Sequence, residues 1–148
     1  MDAAEMERYL HEQIPISQAM GVGVRMLTLN EAVVTASFHQ NINHKKTVFG
    51  GSLSAVATLS CWSLLRFNLL SLPASYEIVI THSDVEYLAA VKEDFEARAG
   101  LRHEEDWERF LKTLEKRGRA RLTLTASINV NGVDAVRFTG TFAAIGIG

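Results

Sequence analysis

The segment Asn43-His44-Lys45-Lys46-Thr47-Val48-Phe49-Gly50-Gly51 runs straight into an apolar stretch over residues 52–72. Two glycines at the start of a buried helix leave backbone N–H groups with no intrahelical acceptor. The helix dipole adds partial positive charge at the same place. With no Cβ on either residue, a carbonyl oxygen or a phosphate can approach those amides closely. Donors fixed around one oxygen are what acyl transfer needs to stabilise its oxyanion, and the Asn43 amide a few positions upstream is placed to join them. The same glycines would also serve a tight strand-to-helix turn, and Asn43 would also close an Asx turn within its own loop.

Further groups surround this core of candidates. Ser54 and Thr58 lie one helical turn apart on one face. Each can contact a substrate or a water, or can bond back to a helix carbonyl. His82, Asp84 and Glu86 alternate along a predicted strand and so share one face. His82 and Asp84 are candidate bases, acting alone or across a subunit interface; a plain solvent face is the other reading. His44 is the titratable group nearest Asn43 in sequence, and Phe49 stands beside the glycines. Cys61, midway along the apolar helix, reads as a buried, inert thiol. The five histidines are scattered without zinc spacing. No Gly-x-Ser-x-Gly elbow is present, and no metal or redox cofactor is implied. Lys112, Lys116, Arg117, Arg119 and Arg121 form a basic cluster, suited to phosphates or to the solvated end of a helix.

Composition bounds the rest. A chain of 148 residues, 47% hydrophobic and 22% charged, is one domain's worth of ordinary globular protein. Its net charge of −2 gives no basic field to draw nucleic acid or an acidic membrane. One cysteine excludes an intramolecular disulfide framework. The acidic N-terminus lacks the pattern of a secretory signal. These features set the expectation of a cytoplasmic protein. Residues 53–72 approach the length of about 20 that spans a bilayer. Ser54, Thr58, Ser60, Ser63, Arg66 and Asn68 within them argue instead for a helix surrounded by protein.

Periodicity supplies the elements that must position these groups. Met6, Leu10 and Ile14 give a short helix over residues 3–13, ended by Pro15. Residues 22–29 and 32–38 form a hairpin turning at Asn30-Glu31. A polar loop over 39–48 precedes the apolar helix. Strands follow at 77–91 and 95–101, then an amphipathic helix at 104–116 carrying Trp107, Phe110, Leu111 and Leu114 on one face. Ala120 to Val130 alternate strictly, Asn131-Gly132 is a type I′ turn signal, and Val136, Phe138 and Phe142 continue the alternation. The order is α-β-β-α-β-β-α-β-β, with strand pairs expected as antiparallel hairpins. One antiparallel sheet wrapped around an all-apolar helix is an α+β, hot-dog architecture. Its open edge calls for a second subunit, in a homodimer or a dimer of dimers.

Three stretches carry a family resemblance: Asn43 followed by five residues and Phe49-Gly50-Gly51-Ser52-Leu53; Val85-Glu86-Tyr87-Leu88-Ala89-Ala90-Val91 with Asp94-Phe95-Glu96-Ala97; and the hairpin around Asn131-Gly132. Over residues 1–148 the chain resembles hot-dog-fold thioesterases, in particular the YiiD C-terminal-domain type. Related enzymes carry Asn, five residues, His-Gly-Gly, and then an acid within the first turns of the helix. The resemblance implies that Asn43, Gly50 and Gly51 bind the thioester carbonyl. Here Phe49 replaces the His, and Thr58 falls where the acid would be. A threonine can orient a water but cannot act as a general base near neutral pH. The implied activity is hydrolysis of an acyl-CoA or acyl-carrier thioester. Non-catalytic binding of an acyl group or its carrier is the alternative that the missing His and acid motivate. A hydratase or dehydratase would need an Asp–His pair in the loop, and His39 and His44 have no acid nearby in sequence.

Overall fold

The structure, a computed structural model, describes residues 1–147. Helix α1 (Ala3–Gln13) is capped by Asp2, whose Oδ1 accepts the Glu5 N–H at 2.9 Å. Pro15 ends that helix and opens α2 (Pro15–Ala19), at the first-turn position where its missing N–H costs nothing. Strands β1 (Gly23–Leu27) and β2 (Glu31–Ala36) form the first hairpin. Thr28 Oγ1 organises its turn by accepting the Asn30 and Glu31 N–H groups at 3.2 and 3.1 Å. Helix α3 (Gly50–Leu69) follows, then β3 (Tyr76–Tyr87), β4 (Phe95–Leu101) and helix α4 (Glu104–Arg117). Gly118 at φ 73° ends α4 in the left-handed conformation. Strands β5 (Arg119–Val130) and β6 (Val133–Gly146) close the chain. Asn131 and Gly132, at φ 53° and 80°, turn the hairpin between them.

All six strands form one antiparallel sheet in the order β1-β2-β4-β5-β6-β3. The expectation that β3 and β4 would pair as a hairpin is corrected here. β4 is a central strand between β2 and β5, whereas β3 crosses to the far edge and pairs with β6. The expected strand at 77–91 also stops early, at Tyr87. Its tail leaves the ladder because its backbone is used elsewhere. The N–H groups of Leu88 and Ala89 donate to Ala135 O, and Val91 O accepts the Val48 N–H at 2.8 Å. That last bond ties the tail to the loop ahead of α3.

The sheet curls around α3, giving the hot-dog architecture. Val34, Ala97, Leu124, Ile128, Val136, Phe138 and Phe142 form a buried core with Val56, Ala57, Leu64 and Leu65 of α3. Helix α4 packs on β5 through Phe110 and Leu114. Contrary to the sequence expectation, α3 is not buried all round. Its less buried positions are Gly50, Gly51, Ser54, Ala55, Thr58, Trp62, Arg66 and Phe67, with Leu70 just past its end. Of these, Gly51, Ser54, Ala55, Thr58, Trp62, Arg66 and Leu70 fall on one helical stripe. No helix among the described residues is long and apolar enough to cross a membrane.

Phe142 is fully buried, and its removal tests whether this core carries the fold. Phe142→Ala is expected to lower unfolding free energy by about 3–5 kcal/mol. The check is urea denaturation, with a reduced midpoint and an unchanged slope.

Candidate functional site

The site begins where the chain enters α3. Phe49 is the N-cap, with φ −58° and ψ 131°, and no side chain caps the helix. The Phe49 carbonyl accepts the N–H groups of Ser52 and Leu53 at 2.9 and 3.2 Å. Among the described residues, the N–H groups of Gly50 and Gly51 have no acceptor. They are therefore two unspent donors at the positive end of a 20-residue helix.

The entry loop is held by three separate attachments. The Phe49 N–H donates to Asn41 O at 2.7 Å, and the Val48 N–H to Val91 O. Asn41 is itself buried, its Nδ2 donating to Met20 O at 2.8 Å and to Ser37 O at 2.6 Å. Sequence inspection passed over Asn41. Its buried amide, two residues ahead of Asn43, fastens the loop to the turn after α2.

Asn43 does the work of an Asx turn. Its Oδ1 accepts the N–H groups of Lys45 and Thr47 at 2.9 and 3.2 Å, and its Nδ2 donates to Thr47 Oγ1 at 3.0 Å. These bonds hold Lys46 at φ 59°, a conformation that is unusual for a residue with a Cβ. Both ends of the Asn43 amide are thus occupied within the loop. His44, in the same turn, is exposed.

On the helix, both hydroxyls bond backwards. Ser54 Oγ donates to Gly51 O at 3.1 Å and Thr58 Oγ1 to Ser54 O at 2.8 Å. Each oxygen keeps lone-pair capacity for an incoming donor. Thr58 lies on the less buried stripe, seven residues beyond Gly51.

The β3–β6 register decides which strand residues can approach the glycines. Residues directly opposite in an antiparallel pair project to the same face. Ile80 opposes Phe142, Val85 opposes Phe138 and Tyr87 opposes Val136, all three partners being buried core residues. These β3 residues therefore face α3. His82, Asp84 and Glu86 oppose Thr141, Thr139 and Arg137 and project to the outer face of the sheet. Within one protomer, His82 and Asp84 are thus on the opposite side of the sheet from Gly50 and Gly51.

Tyr87, which the sequence reading did not single out as a site residue, does reach the glycines. Its ring lies 3.7 Å from where a Cβ on Gly50 would sit, and the Phe49 ring occupies the space that a Cβ on Gly51 would need. Both rings are largely open to solvent, at 54% and 57% exposure. The free amides therefore sit between two exposed aromatic side chains. The signal for Tyr87 was its phase with Val85, at the end of the strand.

Beyond the far end of the α3 stripe, Arg66 and Leu69 of α3 and Leu70 just past it meet Tyr76 and Ile78 of β3 around a cavity of about 180 Å³. The structure thus gathers Phe49, Gly50, Gly51, Ser54 and Thr58 along one line. Cys61 lies off that line, fully buried, and desolvation pushes its thiol well above its ordinary 9.0.

A family model described as "Putative thioesterase (yiiD_Cterm)" matches residues 3–146. The chain is similar to a solved protein of unknown function from Chlorobaculum tepidum TLS, with 27% identity, TM-score 0.89, and coverage of 97% of this chain and 93% of the other. It is similar to a protein from Shewanella oneidensis named a putative thioesterase, with 24% identity, TM-score 0.82, and coverage of 97% and 96%. A thioesterase from Haemophilus influenzae matches with 13% identity, TM-score 0.78, and coverage of 99% and 92%. In the last two cases the likeness is one of fold.

The Asx turn predicts a local effect. Asn43→Ala is expected to cost about 1 kcal/mol and to deprotect the Lys45 and Thr47 amides. Asn43→Asp keeps the acceptor oxygen and is expected to retain most of that protection. Amide hydrogen exchange resolved by residue is the check.

Proposed function

The chain belongs to the YiiD C-terminal-domain thioesterase family, and we propose on that premise that it hydrolyses acyl thioesters carried on coenzyme A or an acyl carrier. The observation that carries this reading is the pair of unspent amides at Gly50 and Gly51, set between Phe49 and Tyr87 and open to a ligand. A thioester carbonyl oxygen would accept from these amides, which gain strength as negative charge develops on it. Water adds to the acyl carbon, the C–S bond breaks, the thiolate leaves, and the proton lost by the water ends on the thiol. A thiol near pKa 8.5 is a good leaving group, so general-acid help is less needed than for an alcohol or an amine. Thr58 would accept a hydrogen bond from the water. Asn43 would contribute by holding the loop.

The assembly belongs to the same reading. β3 is a 12-residue edge strand, and among the described residues no strand pairs with its outer side. Val79, Ile80, Tyr87 and Leu88 are exposed on and beside it. A long apolar edge needs cover, and a twofold pairing of β3 with a second copy supplies it. The expected species is a homodimer, in which the other subunit would close an acyl-binding trough between the α3 stripe and the inward-facing residues of β3.

A second reading is acyl-thioester binding without turnover. It is favoured by the side chains flanking the glycines, which are aromatic rings rather than an acid or a histidine.

Thiol release from a panel of acyl-CoAs separates the two. Gly50→Pro is the informative variant. Proline is tolerated at the first helical position, and Phe49 already has the extended backbone that a following proline requires. The substitution removes one amide donor while leaving the helix in place. Turnover is expected to fall by about 10² to 10³ with the circular dichroism spectrum retained. His82→Gln and Asp84→Asn are expected to leave turnover unchanged. Light scattering is expected to give a dimer, and Ile80→Asp to shift it toward monomer. Wild-type binding without thiol release would replace hydrolysis by the second reading.

A further inference from the structure

We propose that Trp62, braced by Tyr9 and Arg66, ends the acyl channel and restricts the site to medium-chain acyl groups of about eight to ten carbons. This inference rests on the acyl-binding part of the functional reading above.

The α3 stripe changes character along its length. Gly51, Ser54, Ala55 and Thr58 carry small side chains, whereas Trp62 and Arg66 carry two of the bulkiest. The change is reinforced from outside the helix. Tyr9 of α1 stacks on Trp62, with ring centroids 5.9 Å apart and planes at 16°. The Arg66 guanidinium carbon sits 4.0 Å from the Tyr9 ring centroid and 5.8 Å from that of Trp62. Stacking and cation–π attraction hold these three groups as a unit. Met6 and Leu10, fully buried on either side of Tyr9, fix α1 beneath it. The wall is therefore made by two helices and does not depend on one free rotamer.

The polarity of this wall also opposes a longer chain. Arg66 Nε is buried without a hydrogen-bond partner among the described residues. A hydrocarbon tail pushed past it would strip more water from a charged group, with no bond in return. Up to that point the β3 residues that face α3 across the proposed channel are Ile80, Ser83 and Val85, none of them charged.

Helix geometry gives the length. Gly51 and Trp62 are eleven residues apart in the sequence, which at 1.5 Å per residue is about 16 Å along the axis. Helical side chains lean toward the N-terminus, so the indole takes back roughly one turn and leaves about 11 Å. An extended hydrocarbon with C–C bonds of about 1.5 Å advances about 1.3 Å per carbon. Past the wall lies the cavity of about 180 Å³ bounded by Arg66, Leu70, Tyr76 and Ile78. Removing the indole would connect the trough to it and lengthen the channel by about one helical turn, or about four carbons.

The test uses S-alkyl coenzyme A thioethers of four to sixteen carbons, which bind without being cleaved. Their dissociation constants are measured by calorimetry on the full chain. For wild type, affinity is expected to rise about threefold to fourfold per added carbon and to stop rising near ten. For Trp62→Ala the rise is expected to continue to about fourteen, with Trp62→Leu falling between. An identical break in all three proteins, no break in wild type up to sixteen carbons, or no binding of any thioether would overturn the proposal. Thiol release measured on the matching thioesters keeps the two readings apart. A break that moves in Trp62→Ala without any turnover would sink hydrolysis and leave the length stop standing. Turnover with a fixed break would do the reverse.

Discussion

The first turn of α3 is held in place without using its own amides, and the candidate site depends on that. A helix usually begins with Ser, Thr, Asp or Asn, whose side chain bonds to an N–H of the first turn and adds about 1 kcal/mol. Here the capping residue is Phe49, which offers no such bond. The positioning comes from outside the helix, through Phe49 N–H on Asn41 O and Val48 N–H on Val91 O. Asn41 is anchored in turn to Met20 and Ser37. The stability forgone at the cap is offset by burying most of the remaining helix surface against the sheet. Two donors fixed in this way need not reorganise when charge appears in front of them, which is the condition for electrostatic stabilisation of an oxyanion.

A single irregularity in β3 selects the side chains that accompany those donors. The register shifts between Ile80 and His82, so one extra residue is accommodated there. Ahead of the shift the even-numbered residues Ile78 and Ile80 face the helix; beyond it, the odd-numbered Val85 and Tyr87 do. A bulge of this kind exchanges the two faces of everything that follows. Without it, His82, Asp84 and Glu86 would project toward α3 and Tyr87 would point away. The bulge thus sets Tyr87, rather than His82, Asp84 or Glu86, on the side of the sheet that carries the glycines.

How legible this was in the sequence varied with the kind of information needed. Helix α3, the amphipathic α4 and the β5–β6 hairpin were each written in local periodicity and turn chemistry, because strict alternation around Asn131-Gly132 leaves little choice of register. The sheet and its central helix followed from those elements. The place of β3 did not. Its burial hardly alternates, since it lies at an edge, and nothing local distinguishes pairing with β4 from crossing to β6. The free amides of the glycine pair were legible from the start of the helix, whereas Asn43, read first as a ligand-binding candidate with an Asx turn as the alternative, makes the turn in the structure. The placement of Tyr87 beside the glycines, and of His82 and Asp84 on the outer face, was hidden because a one-residue bulge has no clear sequence mark. The less buried stripe on α3 was hidden too. Its Trp62 and Ala55 are apolar, and only the curvature of the sheet shows that they are left partly uncovered.

These features bear together on the chemistry. Where the family resemblance implies a histidine and a carboxylate, this chain has Phe49 and Thr58. A phenyl ring against Gly51 can donate no hydrogen bond, but it removes water from one side of the amides. Hydrogen bonds and dipoles act more strongly when solvent is displaced from around them. A ligand carbonyl between the Phe49 and Tyr87 rings would displace more water from the same donors, and a second subunit along β3 would complete the enclosure. In the proposed reaction, preorganised backbone amides would favour the charged tetrahedral intermediate over the neutral thioester, and exclusion of water by aromatic surface would strengthen their bonds to it. Neither requires a titratable residue at the carbonyl. The demand that remains is for one ordered water. On the proposed reading Thr58 would hold it, since its hydroxyl hydrogen is committed to Ser54 O and its oxygen is left as an acceptor.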